Sequence, residues 1–190
     1  MFGFFRPKAV ASNAPSLGIR LSSIPDVIYA IGDIHGCLDK LQRLQSTIIA
    51  DAADIDGDKI IVTLGDYIDR GPASARTLDW LMQEAPPGFR RICLRGNHEA
   101  LLLEALDKPG SCRDWLKWGG QETLRSYGID PEYFERLSGR ARGQVLNSFV
   151  PPDQVAFLRS CPYYLWTPGF LFVHAGIRPG IALEHRLPGT

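Results

Sequence analysis

Residues 60–71, IIVTLGDYIDRG, run five apolar or β-branched residues into a glycine, then Asp66, Asp69, Arg70 and a second glycine. The first five read as a buried strand. A strand that merely ends needs no such concentration of charge, so Asp66, Asp69 and Arg70 are candidates for holding a ligand. The arrangement recurs three more times. YAIGDIHG (29–36), CLRGNHE (93–99) and LFVHAG (171–176) each run an apolar strand into Asp, His or Asn beside glycine.

Between these blocks the period changes from strand to helix. VIYAI (27–31) reads as a strand, and Leu38, Leu41, Leu44 and Ile48 then recur at helical spacing to about Ala53. ASARTLDWLMQEA (73–85) is a second helix stopped by Pro86 and Pro87, RRICL (90–94) a third strand, and HEALLLEAL (98–106) the start of a third helix. This alternation predicts an α/β architecture, a mostly parallel sheet covered by helices. Residues 111–159 read as helix and loop, with Trp115 and Trp118 as packing residues. PYYLW (162–166), a turn at TPG and FLFV (170–173) give two further strands. Residues 1–24, rich in Pro, Ser, Ala and Asn, read as a flexible arm. Residues 25–190 then form one domain.

The chain has 190 residues, 45% of them hydrophobic, with 21 Lys and Arg against 21 Asp and Glu. That is enough for one domain with a real core. The balanced charge offers no bulk attraction to nucleic acid or anionic membrane, so neither partner is expected and any phosphate site is local. No signal core or membrane-length apolar run occurs, and Cys37, Cys93, Cys112 and Cys161 form no CxxC pair. The expectation is a cytoplasmic protein with free thiols. Oligomeric state is left open.

In open α/β sheets the carboxyl ends of neighbouring strands converge on one crevice. Four such ends would gather Asp33, His35, Asp66, Asn97, His98 and His174. Asp33 and His35, two apart, project to the same side of an extended strand end. Carboxylate and amide oxygens with imidazole nitrogens make a shell suited to manganese, iron or zinc. Taken singly, each motif has a structural explanation. Asp-x-His can end a loop, Asn97 can cap a helix, and Glu99 suits a helix's first turn. Structural roles do not explain the repetition at four strand ends. Asp66 can bridge two cations, and two ions about 3.5–4 Å apart activate both a phosphoryl group and water. Arg70 offers a bidentate fork for phosphate. Asp69 is placed to orient a histidine, and His185, in a polar tail, reads as a surface residue.

GDIHG, GDYIDRG, GNHE and HAG, in this order and spacing, resemble the metal-dependent phosphoprotein phosphatase family within the calcineurin-like metallophosphoesterases. The match runs from about Val27 to Pro179. WGGQETLRSYG and FLFVHAGIRPG look like its small bacterial serine/threonine protein phosphatases. The resemblance implies an α/β (α+β) fold, a β-sandwich of two mixed sheets flanked by helices. It implies two divalent metal ions, manganese first, with iron or zinc as alternatives. Asp33, His35 and Asp66 would hold the first ion, and Asp66, Asn97 and His174 the second. His98 would be the general acid with Asp69 as its partner, and Arg70 and Asn97 would bind substrate phosphate. Hydroxide held on the metals would attack phosphorus in line, without a phosphoenzyme.

The substrate implied is a phosphoprotein or small phosphoester. GNHE in place of GNHD, together with DRG, favours a serine/threonine protein phosphatase over the related bis(5'-nucleosyl)-tetraphosphatases. The family continues to a further histidine in a Gly-His motif and to another phosphate-binding arginine. Neither is found before Thr190. The resemblance therefore implies a catalytic domain incomplete at its C-terminus, with a weakly held second metal. A catalytically impaired phosphate- or metal-binding module is the alternative.

Overall fold

A computed structural model of the chain describes residues 17–177. The expectations for His185 and for the C-terminal end of the domain lie outside the described residues. Two three-stranded sheets form the centre. In one, β2 (Val27–Ile31), β3 (Lys59–Thr63) and β4 (Phe89–Cys93) are all parallel. Ile31 pairs with Thr63 and Thr63 with Cys93, so the three strands finish level. In the other, β1 (Ile19–Arg20) runs parallel to β5 (Tyr164–Thr167), which is antiparallel to β6 (Phe170–Val173).

The parallel sheet expected from strand–helix alternation is therefore only half of the molecule. Pro168 and Gly169, the latter at φ 86°, reverse the chain in two residues, and a strand that returns so tightly must run antiparallel. β1 corrects a second expectation. Residues 1–16 lie outside the described residues, but Ile19 and Arg20, read as part of a loose arm, pair with Leu165 and Trp166.

Side-chain alternation explains the layers. Ile61 and Val62 are neighbours on β3 and point to opposite faces. Val62, Leu94 and Leu165 are buried between the sheets, with Ile19, Ile28, Ile92 and Phe172 around them. Ile61 and Ile31 pack instead with Leu41, Ile48, Leu78 and Leu102 on the helical side. These come from α1 (Leu38–Asp51), α2 (Ser74–Met82) and α3 (Asn97–Asp107). The result is a two-sheet sandwich flanked by helices. No helix among the described residues is long and apolar enough to cross a membrane.

Residues 109–160 add a helical layer. A 3-10 turn (Pro109–Ser111) leads into α4 (Cys112–Trp115), a kinked stretch (Leu116–Gly120) and α5 (Gln121–Ser126). α6 (Pro131–Arg136), α7 (Gly139–Phe149) and α8 (Pro152–Ser160) follow. Asp130 caps α6 by accepting the N–H groups of Glu132 and Tyr133, and Ser138 caps α7. Trp115 ends α4, and Trp118 lies within the kinked stretch. Trp115 is fully buried, whereas Trp118 is 57% exposed. The packing role expected of both thus fits only Trp115.

Leu165→Ala should cost about 2–5 kcal/mol, because it opens a cavity between two sheets that cannot collapse together. Leu44→Ala, on an exposed part of α1, should stay within about 0.5 kcal/mol. Urea unfolding of the two variants checks the difference. Equal costs would mean that the inter-sheet layer is not a core.

Candidate metal centre

Every candidate side chain leaves the end of a strand. Asp33 and His35 follow β2, Asp66, Asp69 and Arg70 follow β3, Asn97 and His98 follow β4, and His174 follows β6. Backbone bonds lock the loops together. The Ile34 and His35 N–H groups donate to the Asp66 carbonyl at 3.0 and 2.8 Å, and Gly36 N–H donates to that of Tyr67 at 2.8 Å. Four non-glycine residues here have left-handed φ: His35 at 44°, Asp66 at 55°, Asp69 at 70° and Arg70 at 65°. Each such residue costs about 1–3 kcal/mol and persists only where its surroundings over-determine it.

Glu99 supplies much of that determination. It is fully buried. Its carboxylate accepts the N–H groups of Asp66 at 2.8 Å, Tyr67 at 2.7 Å and Gly96 at 2.8 Å. Burial pushes its carboxyl up from the ordinary glutamate value, and the three amides pull the other way by favouring the charged form. Glu99 does sit in the first turn of α3, as expected. Its side chain, however, turns back and straps the loop after β3 to the loop after β4. Gly96 permits this approach, since a Cβ there would lie 2.2 Å from Asp66 Oδ1.

Asp66 is the centre of the cluster. Its Oδ2 lies 3.3 Å from His174 Nε2 and 3.8 Å from Nε2 of both His35 and His98. Its Oδ1 accepts the His98 N–H at 3.1 Å. Asp33 Oδ2, on an exposed side chain, is 3.7 Å from His35 Nε2. Asn97 Oδ1 is 2.8 Å from His174 Nε2. The helix cap once open to Asn97 falls on Gly96 instead.

The donor set fits a cation. His35 Nδ1 lies 2.8 Å from the Ile68 carbonyl, and His174 Nδ1 2.9 Å from the Leu64 carbonyl. A carbonyl only accepts, so each Nδ1 carries the proton and each Nε2 turns its lone pair into the site. There the nitrogens meet the oxygens of Asp33, Asp66 and Asn97, which are acceptors too. Such lone pairs repel one another unless a cation joins them. Ligand atoms of His35, Asp66 and His98 lie within 4.8 Å of one another, as do those of Asp33, Asp66 and His174. The two sets share Asp66. Asp33 and His35, expected to share an ion, fall in different sets but approach each other to 3.7 Å, and His98, expected to hold no ion, falls in the first set.

Arg70 and His98 lie beside this cluster. The Arg70 Nη1 is 3.0 Å from His35 Nε2 and its Nη2 is 3.2 Å from His98 Nε2. His98 is fully buried, with Nδ1 2.6 Å from Asp69 Oδ2. Burial draws the imidazole down. The hydrogen bond and charge of Asp69, with the charge of Asp66, outweigh it, so the ring titrates above the ordinary histidine value. Three contributors were not legible as such. Glu99 reads only as an acid in a helix's first turn, and Trp115 and Thr123 lie outside the strand-end blocks. Their signal exists only once the chain is folded, in what their polar atoms face.

A sandwich whose strand ends gather this shell defines a metallophosphoesterase. The chain belongs to the calcineurin-like phosphoesterase family, whose model matches residues 27–186. Over 161 residues it is 29% identical to a symmetrical bis(5'-nucleosyl)-tetraphosphatase of Aromatoleum aromaticum, covering 83% of this chain and 46% of that protein. Over 95 residues it is 40% identical to serine/threonine-protein phosphatase 2 of Escherichia coli K12, covering 49% of this chain and 38% of that protein. The chain thus spans under half the length of these curated relatives. A solved cold-active protein tyrosine phosphatase is similar over 96% of this chain and 54% of that one. Its TM-score of 0.54 at 19% identity is a likeness of fold alone.

Glu99→Gln places an amide NH2 against backbone donors and removes the charge they share. Bonds to charged groups contribute about 1.5–3 kcal/mol each, so a loss of at least about 2 kcal/mol is expected in urea unfolding. Hydrogen exchange at the Asp66 and Tyr67 amides should accelerate with it. An unchanged midpoint with both amides still protected would contradict the strap.

Proposed function

We propose that the chain hydrolyses phosphate monoesters, with phosphoserine and phosphothreonine proteins as its substrate class. The observation that carries this reading is the buried His98–Asp69 pair, set beside Arg70 at the edge of a carboxylate and imidazole cluster. Asp33, His35, Asp66, Asn97 and His174 would hold two divalent ions, manganese first, with iron or zinc as alternatives. When bound, such ions polarise phosphoryl oxygens and make water a nucleophile near neutral pH.

The protein's own residues supply the rest. Arg70 is exposed and clamps two phosphoryl oxygens with its fork, and the Asn97 amide donates to a third. A water oxygen bonds to phosphorus opposite the ester oxygen. The ester P–O bond breaks, its electron pair stays on the leaving oxygen, and that oxygen takes a proton from His98 Nε2. Asp69 keeps its charge throughout and stabilises the imidazolium before transfer. The proton shed by the attacking water returns to His98 through solvent, so ester and water become phosphate and alcohol.

The leaving group favours this substrate class. A serine or threonine alkoxide is a poor leaving group and gains much from protonation, whereas a nucleotide phosphate is a good one and gains little. A histidine this deeply seated on its carboxylate suits the former. A second reading, hydrolysis of dinucleoside tetraphosphates, has its own support. Relatives with that name match 83% and 86% of this chain. Moreover, Glu99 faces backbone amides rather than open site, so GNHE in place of GNHD loses its force as a substrate signature.

Phosphate release from a phosphoserine peptide and cleavage of a dinucleoside tetraphosphate should be compared with manganese present. The peptide should show the higher kcat/KM, the reverse order would favour the second reading, and no turnover of either would overturn both. Arg70→Ala should raise KM about 10-fold or more and weaken inhibition by inorganic phosphate equally, matching a lost charge-assisted contact. Unchanged phosphate inhibition would remove Arg70 from the site.

A further inference from the structure

Asp69 is bound by more than His98. Its carboxylate is fully buried, and the fully buried Trp115 directs its indole N–H between both oxygens, 3.1 Å from Oδ1 and 3.0 Å from Oδ2. Thr123, also fully buried, donates its hydroxyl to Oδ1 at 2.7 Å. The same hydroxyl accepts the Asp69 N–H at 2.9 Å, and Ser74 Oγ accepts it at 3.1 Å. The Thr123 hydroxyl has one proton and two neighbours that could take it, Asp69 Oδ1 at 2.7 Å and Ser74 Oγ at 3.0 Å, and the nearer, charged carboxylate is the better acceptor.

The segment that carries these groups is shaped for the contact. The helix is kinked within residues 116–120, at Gly119, whose φ is 104°. Its carbonyl accepts the Arg70 N–H at 3.1 Å, and a Cβ on Gly119 would come within 2.8 Å of Arg70 Cγ. A Cβ on Gly120 would meet the Trp115 ring at 2.5 Å. Both glycines are therefore needed for the indole to seat and for the chain to reach Arg70.

We propose that Trp115 and Thr123 are positioning residues for proton donation to the leaving group. Together they fix the Asp69 carboxylate so that Oδ2 stays on His98 Nδ1 and His98 Nε2 stays aimed at the departing oxygen. An indole N–H cannot accept, so it occupies both oxygens without competing for the histidine proton. The hydroxyl fixes which oxygen turns away. Without them a buried carboxylate bearing one histidine is free to rotate and to leave the imidazole in the wrong orientation. This rests on the reading of His98 as the acid, and the test separates the two.

Trp115→Phe keeps an aromatic ring in the core while removing the N–H along with part of the indole, Thr123→Val removes the hydroxyl at nearly constant volume, and Thr123→Ser restores it. Turnover is compared on phenyl, 4-nitrophenyl and 2,4-dinitrophenyl phosphates with manganese present. Trp115→Phe and Thr123→Val should each lower kcat about 10-fold on phenyl phosphate and about twofold or less on the dinitrophenyl ester, part of the 10²–10⁴-fold that general acids supply. KM should hold, and Thr123→Ser should recover most of the loss. A packing role alone predicts equal losses on all three esters, or none, and either result would overturn the proposal.

The second readout needs no turnover. The proton on His98 Nδ1, in its bond to Asp69, should give a downfield proton NMR resonance that moves or broadens in Trp115→Phe and in Thr123→Val. An unmoved resonance in both folded variants would overturn the proposal even if kcat fell. Should the wild-type chain hydrolyse none of the esters, the hydrolase reading fails. The resonance then still decides whether these two residues hold the pair.

Discussion

The centre depends on backbone that resists its own conformation. His35, Asp66, Asp69 and Arg70 all occupy the left-handed region that side chains other than glycine's avoid. Each has its amide tied by another part of the chain. His35 N–H goes to the Asp66 carbonyl, Asp66 N–H to Glu99, Asp69 N–H to Ser74 and Thr123, and Arg70 N–H to the Gly119 carbonyl. At Asp66 and Asp69 the bonds that hold the strain are themselves buried, where an unmade bond costs most. A sharply turned loop gains in return what an extended one lacks. It points Asp66, Asp69 and Arg70 in three directions within five residues.

The sandwich sets the scale of this arrangement. Three parallel strands that finish level deliver three loops to one edge, and the two-residue turn between β5 and β6 adds His174 to the same place. The layer between the sheets needs only a few apolar side chains, because Val62, Leu94 and Leu165 exclude water almost completely. The helical layer does more than cover the other face. Through Trp115, Gly119 and Thr123 it reaches past the core to the loop after β3, joining packing to chemistry in one segment.

What could be read from the sequence was what repeats. Apolar runs ending in Asp, His or Asn marked β2, β3, β4 and β6 and the residues that meet beyond them, because strand periodicity and polarity are local properties. The mixed sheet was legible only through resemblance. Residues 27–93 alternate strand and helix as a parallel sheet does, and nothing local announces that β5 joins a second sheet. β1 was missed because a two-residue strand has no period. Glu99, Trp115 and Thr123 were missed for a different reason. A glutamate in a first turn, a tryptophan in a helix and a threonine three residues past a glycine pair are all ordinary in sequence. Their roles come from partners thirty or more residues away.

The account turns on Asp66 as the carboxylate shared by two cation positions. Manganese bound to the chain, counted by elemental analysis and examined by electron paramagnetic resonance at saturating metal, tests this most directly. The wild type should hold two ions with exchange-coupled spins, and Asp66→Asn should lose at least one ion and the coupling with it. A folded Asp66→Asn chain that retained two coupled ions would contradict the shared ligand and the centre built around it.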